Sequence, residues 1–119
     1  MSQSIHENFE ELRKAVLEEP GVTSPEERAR IANWSSNPDQ VPANQQFPEP
    51  LAKLLNKVAR YAYTVTDEDV QAVLDAGYAE DAVFEMILSA AVGSARVRYE
   101  YGMAALRATK GTGDATSHS

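Results

Sequence analysis

The chain has 119 residues, no cysteine, and a formal net charge of −7 from 18 acidic and 11 basic side chains. That length makes one domain, able to bury roughly two-thirds of its unfolded surface without covalent staples. The missing cysteine excludes disulfides, thiol nucleophiles and thiolate metal sites, and the acidic balance argues against a nucleic-acid partner.

The periodicity is helical throughout, with no alternation of period two, so an all-α bundle of about five helices is expected. Ser4 and Glu7 make a capping box ahead of an apolar stripe of Ile5, Phe9, Leu12 and Val16, and Pro20-Gly21 stops this first helix. Ser24-Pro25-Glu26-Glu27 starts a second, short helix carried by Ala29, Ile31, Ala32 and Trp34. Residues 35–47, SSNPDQVPANQQF, read as an irregular surface connection, either pinned by Val41 and Phe47 or mobile. Pro48-Glu49-Pro50 opens a third helix with Leu51, Leu54, Leu55, Val58 and Ala62 inward and Lys53, Lys57 and Arg60 outward. Thr66 with Asp67, Glu68 and Asp69 caps a fourth helix that buries Val70, Val73 and Leu74 and ends at a left-handed Gly77. A fifth and longest helix runs from about Glu80 to about Arg107; its first half is apolar almost all round, which makes it central. The expected organisation is one domain over 1–109: an N-terminal helical pair (1–34), the connection (35–47) and a helical core (48–109). A small, polar, disordered tail (110–119) follows.

The N-terminus lacks the basic and apolar regions of a secretory signal, and the longest uncharged run, between Glu85 and Arg96, is too short to span a bilayer. A cytoplasmic protein without a membrane partner is expected. His6 and His118 have no ligand partner at helical spacing, and the acid clusters lie in first helical turns where capping explains them. No metal site and no cofactor are expected.

The fifth helix carries the one constellation of interest: Glu85, Arg96, Arg98, Tyr99, Glu100 and Tyr101. Arg96 and Glu100 are one turn apart and pair on a solvated face. Arg98 borders the stripe Phe84, Leu88, Ala91, Ala95 and Tyr99, which makes it a candidate for holding a small organic anion. Snorkelling or a subunit contact would account for it equally. Tyr61 and Tyr63 either line a cleft beside it or close the core with their hydroxyls at the rim. Arg98, Tyr61, Tyr63 and Tyr99 are thus the ligand-binding candidates. A second track on the same helix, Met86, Ala90, Gly93 and Val97 with Tyr101 alongside, contains small residues suited to close helix approach. It is the expected interface of a homodimer or larger even-numbered assembly.

The stretch PLAKLLNKVARYAYTVTDEDVQAVLDAGYAEDAVFEMILSAAVGSARVRYEYGMAAL, Pro50 to Leu106, resembles the C-terminal helical half of the AhpD-like, or carboxymuconolactone decarboxylase-like, family. The resemblance rests on VARYAYTVTDEDV, the Ala76-Gly77-Tyr78 turn and EMILSAAVGSARVRYE. It implies a helical fold and assembly into dimers, trimers or hexamers. Redox members act through Cys-x-x-Cys and a His, for which this chain has no counterpart, so no catalytic residue transfers and no thiol peroxidase activity is expected. The family's usual capping residue is replaced by Ala79. The expected function is that of a homo-oligomeric, non-peroxidase binding or accessory protein. The alternative is a cofactor-independent enzyme acting on a small organic acid or lactone through Arg98 and a tyrosine.

Overall fold

A computed structural model describes residues 2–116, with side chains described for 7–108. The helices are α1 (Ser2–Leu17), α2 (Pro25–Ser36), α3 (Ala43–Gln46), α4 (Leu51–Tyr61), α5 (Asp67–Asp75) and α6 (Glu80–Thr116). A 3₁₀ turn, Ala62–Thr64, extends α4, and no strand occurs among the described residues. The chain is all-α, as its periodicity predicts. The backbone of α6 stays helical past Arg107 to Thr116, because adding a turn to a formed helix costs far less than starting one. The side chains beyond Ala108, and all of His118, lie outside the described residues, as do the side chains of Ser4, Ile5 and His6.

The starts of two helices follow from their capping residues. Ser24 is extended (φ −74°, ψ 151°) and its hydroxyl accepts from the Glu27 amide at 3.1 Å, with Pro25 in the first turn of α2. The Glu27 carboxylate pairs with Arg30 at 2.9 Å, in place of the reciprocal bond of a capping box. At α5 the box closes both ways: the Asp69 amide donates to the Thr66 hydroxyl at 3.2 Å and the Thr66 amide to Asp69 at 2.9 Å. Gly77 ends this segment with φ +108°, a conformation that disfavours a side chain.

The core forms where α4 lays Leu51, Ala52, Leu54, Leu55, Val58 and Ala59 against Ile31, Trp34, Phe47, Val73, Val83, Met86 and Ala90. Leu54 and Leu55 are fully buried, a contribution of about 2 kcal/mol each from transfer alone. The 35–47 connection is pinned. Trp34 meets the Phe47 ring edge-on at 5.2 Å and donates its indole N–H to the Val41 carbonyl at 2.8 Å. Ala62 is exposed, because the 3₁₀ turn rotates it off the inward face of α4. On α1, Leu12 is 55% exposed; the helix instead turns Phe9, Val16 and Leu17 inward, and Leu17 joins Ala32 and Val92 in a second small cluster.

The backbones of α2 and α6 meet at Gly93. A Cβ built at Gly93 would lie 2.1 Å from the Ala32 carbonyl oxygen, so the two backbones touch. The Ser35 hydroxyl donates to the Ala90 carbonyl across this contact, and Ser94 donates to the Ala59 carbonyl of α4 at 2.9 Å. The inward face of α6 is therefore Val83, Met86, Ala90, Gly93 and Ser94.

Candidate functional site: the outward face of the long helix

Glu85, on the same side of α6 as Arg96, faces the α1–α2 loop. It accepts the Val22 amide at 2.8 Å, the Thr23 amide at 2.9 Å and the Thr23 hydroxyl. The Thr23 hydroxyl, then the two amides, then the positive charge of Arg28 hold this carboxyl down at about 2, against an ordinary 4.5. So stabilised an anion is a poor proton acceptor, and its role is to clasp the loop. Gly21 makes the clasp tight, since a Cβ there would sit 2.6 Å from a Glu85 oxygen.

Arg28, only 2% exposed, completes this knot. Its guanidinium donates to the carbonyls of Val16 at 2.7 Å and Glu19 at 2.6 Å, placing a cation at the C-terminal end of α1. Its Nε is buried without a hydrogen bond and lies 3.9 Å from Glu85. On the opposite side of the bundle Asp69 accepts Lys57 at 2.7 Å. That bond first, and the Thr66 amide second, lower its carboxyl from 3.8 to about 2. Lys57 thus leans over α5, whereas its helical position alone points it outward.

The four ligand-binding candidates do not converge. Tyr61 and Tyr63 pack edge to face at 6.4 Å and are 53% and 88% exposed. Tyr99 stacks flat on Phe9 of α1 at 5.0 Å. Arg98 is exposed and makes no ion pair among the described residues, while Arg96 pairs with Glu100 at 3.6 Å. None of these four candidates lines the three clefts described next. A cleft of about 450 Å³ beside α2 holds Arg30, already bound to Glu27 and, at 3.2 Å, to the Gln46 carbonyl. One of about 440 Å³ over α3 and α4 holds Arg60, paired with Asp39 at 2.7 Å. A gap of about 80 Å³ between α1, α2 and α6 holds Arg13, paired with Glu10 at 3.2 Å, and Arg96. Each of these guanidinium groups is already neutralised by a carboxylate.

The two tracks of α6 are placed opposite to expectation. Met86 (3% exposed), Ala90 (0%) and Gly93 are covered by the chain's own helices, so they are not free to receive a second subunit. Val97 is half-buried and Tyr101 is 73% exposed. The physical reason is Gly93: it admits the backbone of α2, and that contact fixes the rotation of α6. The other track consequently faces out as far as Ala95, while its last member, Tyr99, is half-buried against Phe9. Phe84 is 61% exposed, Ala91 and Ala95 are exposed, and Leu88 is half-buried. With Asp81 before them and Arg98 after them, these residues recur at alternating three- and four-residue steps, the spacing of a coiled-coil seam. The seam is about 26 Å long. Val22, 62% exposed, is tied by its amide to Glu85, the residue after Phe84. The signal for this seam is present in the sequence; what the sequence lacks is which of two helical faces the rest of the chain covers.

Among the described residues no group of three or more His, Asp or Glu is placed to hold a metal ion, and no helix is long and apolar enough to cross a membrane. No family model matches the chain, and no curated protein or solved structure shows significant similarity to it.

Proposed function

We propose that this protein acts by association and not by turnover: a cytoplasmic, homo-oligomeric, cysteine-free helical bundle of the AhpD-like type, in a binding or accessory role. The observation that carries the reading is the uncovered apolar seam of α6, headed by Phe84 at 61% exposure. An apolar helix face of this length in water is a feature of interaction surfaces. The polar groups support the same reading. Glu85, Arg28 and Asp69, the most strongly engaged ionisable groups described, are consumed in holding helices together. The AhpD-like part rests on the resemblance of the Pro50–Leu106 segment. Light scattering on the purified chain across a dilution series tests the association: a mass twice 13.0 kDa or a higher multiple is expected, and 13.0 kDa at every concentration would refute it.

A further inference from the structure

We infer that the outward seam of α6 pairs antiparallel with the same seam of a second copy, in a register fixed by an Asp81–Arg98 ion pair at each end. This rests on the association reading above and names its occupant. The argument is one of charge and size. Asp81 lies in the first turn of α6 and Arg98 five seam positions later; both are exposed and neither makes an ion pair within the chain among the described residues. An acid at one end and a base at the other make the seam self-complementary only when the second copy runs in the opposite direction.

With the two-fold axis between Leu88 and Ala91, every layer then matches. Leu88 meets the partner's Ala91, Phe84 meets the partner's Ala95, and Asp81 meets the partner's Arg98. Each apolar layer sets a large side chain against a methyl group, which is how facing positions interdigitate. The opposed helix dipoles add to the same preference. A parallel pair would instead set Phe84 on Phe84 and Ala95 on Ala95, and would face Asp81 with Asp81 and Arg98 with Arg98. Charge and volume both select the antiparallel form, and two-fold symmetry repeats each contact.

Two experiments read the register. The first uses the absence of native cysteine. Phe84→Cys and Ala95→Cys chains are oxidised separately and as an equimolar mixture. The proposal expects a disulfide-linked dimer in the mixture alone, because each introduced thiol lies about 16 Å from its own copy along the helix axes, beyond disulfide reach. Self-linked dimers of either single variant would overturn it. The second is a charge swap measured by sedimentation equilibrium. Asp81→Arg and Arg98→Asp should each weaken dimerisation about tenfold or more by facing like charges, and the double swap should restore it. A double variant as weak as the singles would overturn the register. Dimers that persist in wild type without the mixed disulfide would refute this seam while leaving association intact; a monomeric wild type would refute both.

Discussion

Gly93→Ala tests which face of α6 is internal. The added Cβ would lie 2.1 Å from the Ala32 carbonyl oxygen, 2.8 Å from its carbon and 2.9 Å from its Cα. All three are main-chain atoms, so no rotamer change relieves the clash, and α2 and α6 must part by about 1 Å to restore ordinary contact. Overpacking of this kind costs about 3 kcal/mol where backbone must move, and the better helix propensity of Ala returns about 1. A net loss of about 2 kcal/mol is expected, a large share of a typical folding free energy of about 5–15 kcal/mol. Urea denaturation followed by far-UV circular dichroism measures it. Gly102→Ala is the control: nothing lies within 4 Å of its Cβ, so the same change should stabilise by about 0.5–1 kcal/mol. The deficit of Gly93→Ala relative to wild type should be the same at every protein concentration, because Ala32 belongs to the same chain. A Gly93→Ala midpoint at or above wild type, or a deficit that vanishes on dilution, would refute the intrachain contact.

Three further outcomes follow from the fold. Ala79 accepts the first bond of α6, from the Val83 amide at 3.0 Å, without a capping side chain, so Ala79→Ser should raise stability by about 1 kcal/mol in chemical denaturation. Arg28→Met keeps the apolar stem but leaves the Val16 and Glu19 carbonyls without their donor; a loss of about 3 kcal/mol is expected in the same assay. Glu85 and Asp69 titrate lower in the folded chain, about 2, than their ordinary 4.5 and 3.8. Folding therefore favours their ionised forms, and the stability they add is full above about pH 4.5 and lost as the pH falls toward 2. Thermal melts across that window should fall less steeply for an E85Q/D69N variant than for wild type.

Most of the helices were legible because each carries a local signal: Ser24-Pro25 for α2, Thr66 to Asp69 for α5, Gly77 for its end. The apolar face of α4 was legible for the same reason, from Leu51 to Val58. What escaped were the facts that depend on distant partners. No local pattern singles out Arg28, and Ser35 reads as the start of the surface connection, yet both are buried in α2, which α6 lies against because Gly93 lets the two backbones meet. Glu85 finds its partners in a loop 62 residues earlier, which no local pattern encodes. The candidate site failed in part for a related reason. Helical spacing separates the Phe84 and Met86 tracks of α6 but does not say which one the chain itself covers. The large aromatic suggests an inward track, whereas the close backbone contact at Gly93 decides the matter the other way.

The outward face of α6 is the centre of this account, and Phe84→Glu tests it most directly. Phe84 is 61% exposed, so a carboxylate there faces water in the monomer and should leave the denaturation midpoint of the monomeric fold within about 0.5 kcal/mol. In a dimer it would be buried beside the partner's Ala95. Sedimentation equilibrium of wild type and Phe84→Glu at matched concentrations should give a dimer for the first and 13.0 kDa for the second. Equal masses for the two proteins would contradict an interface on this face.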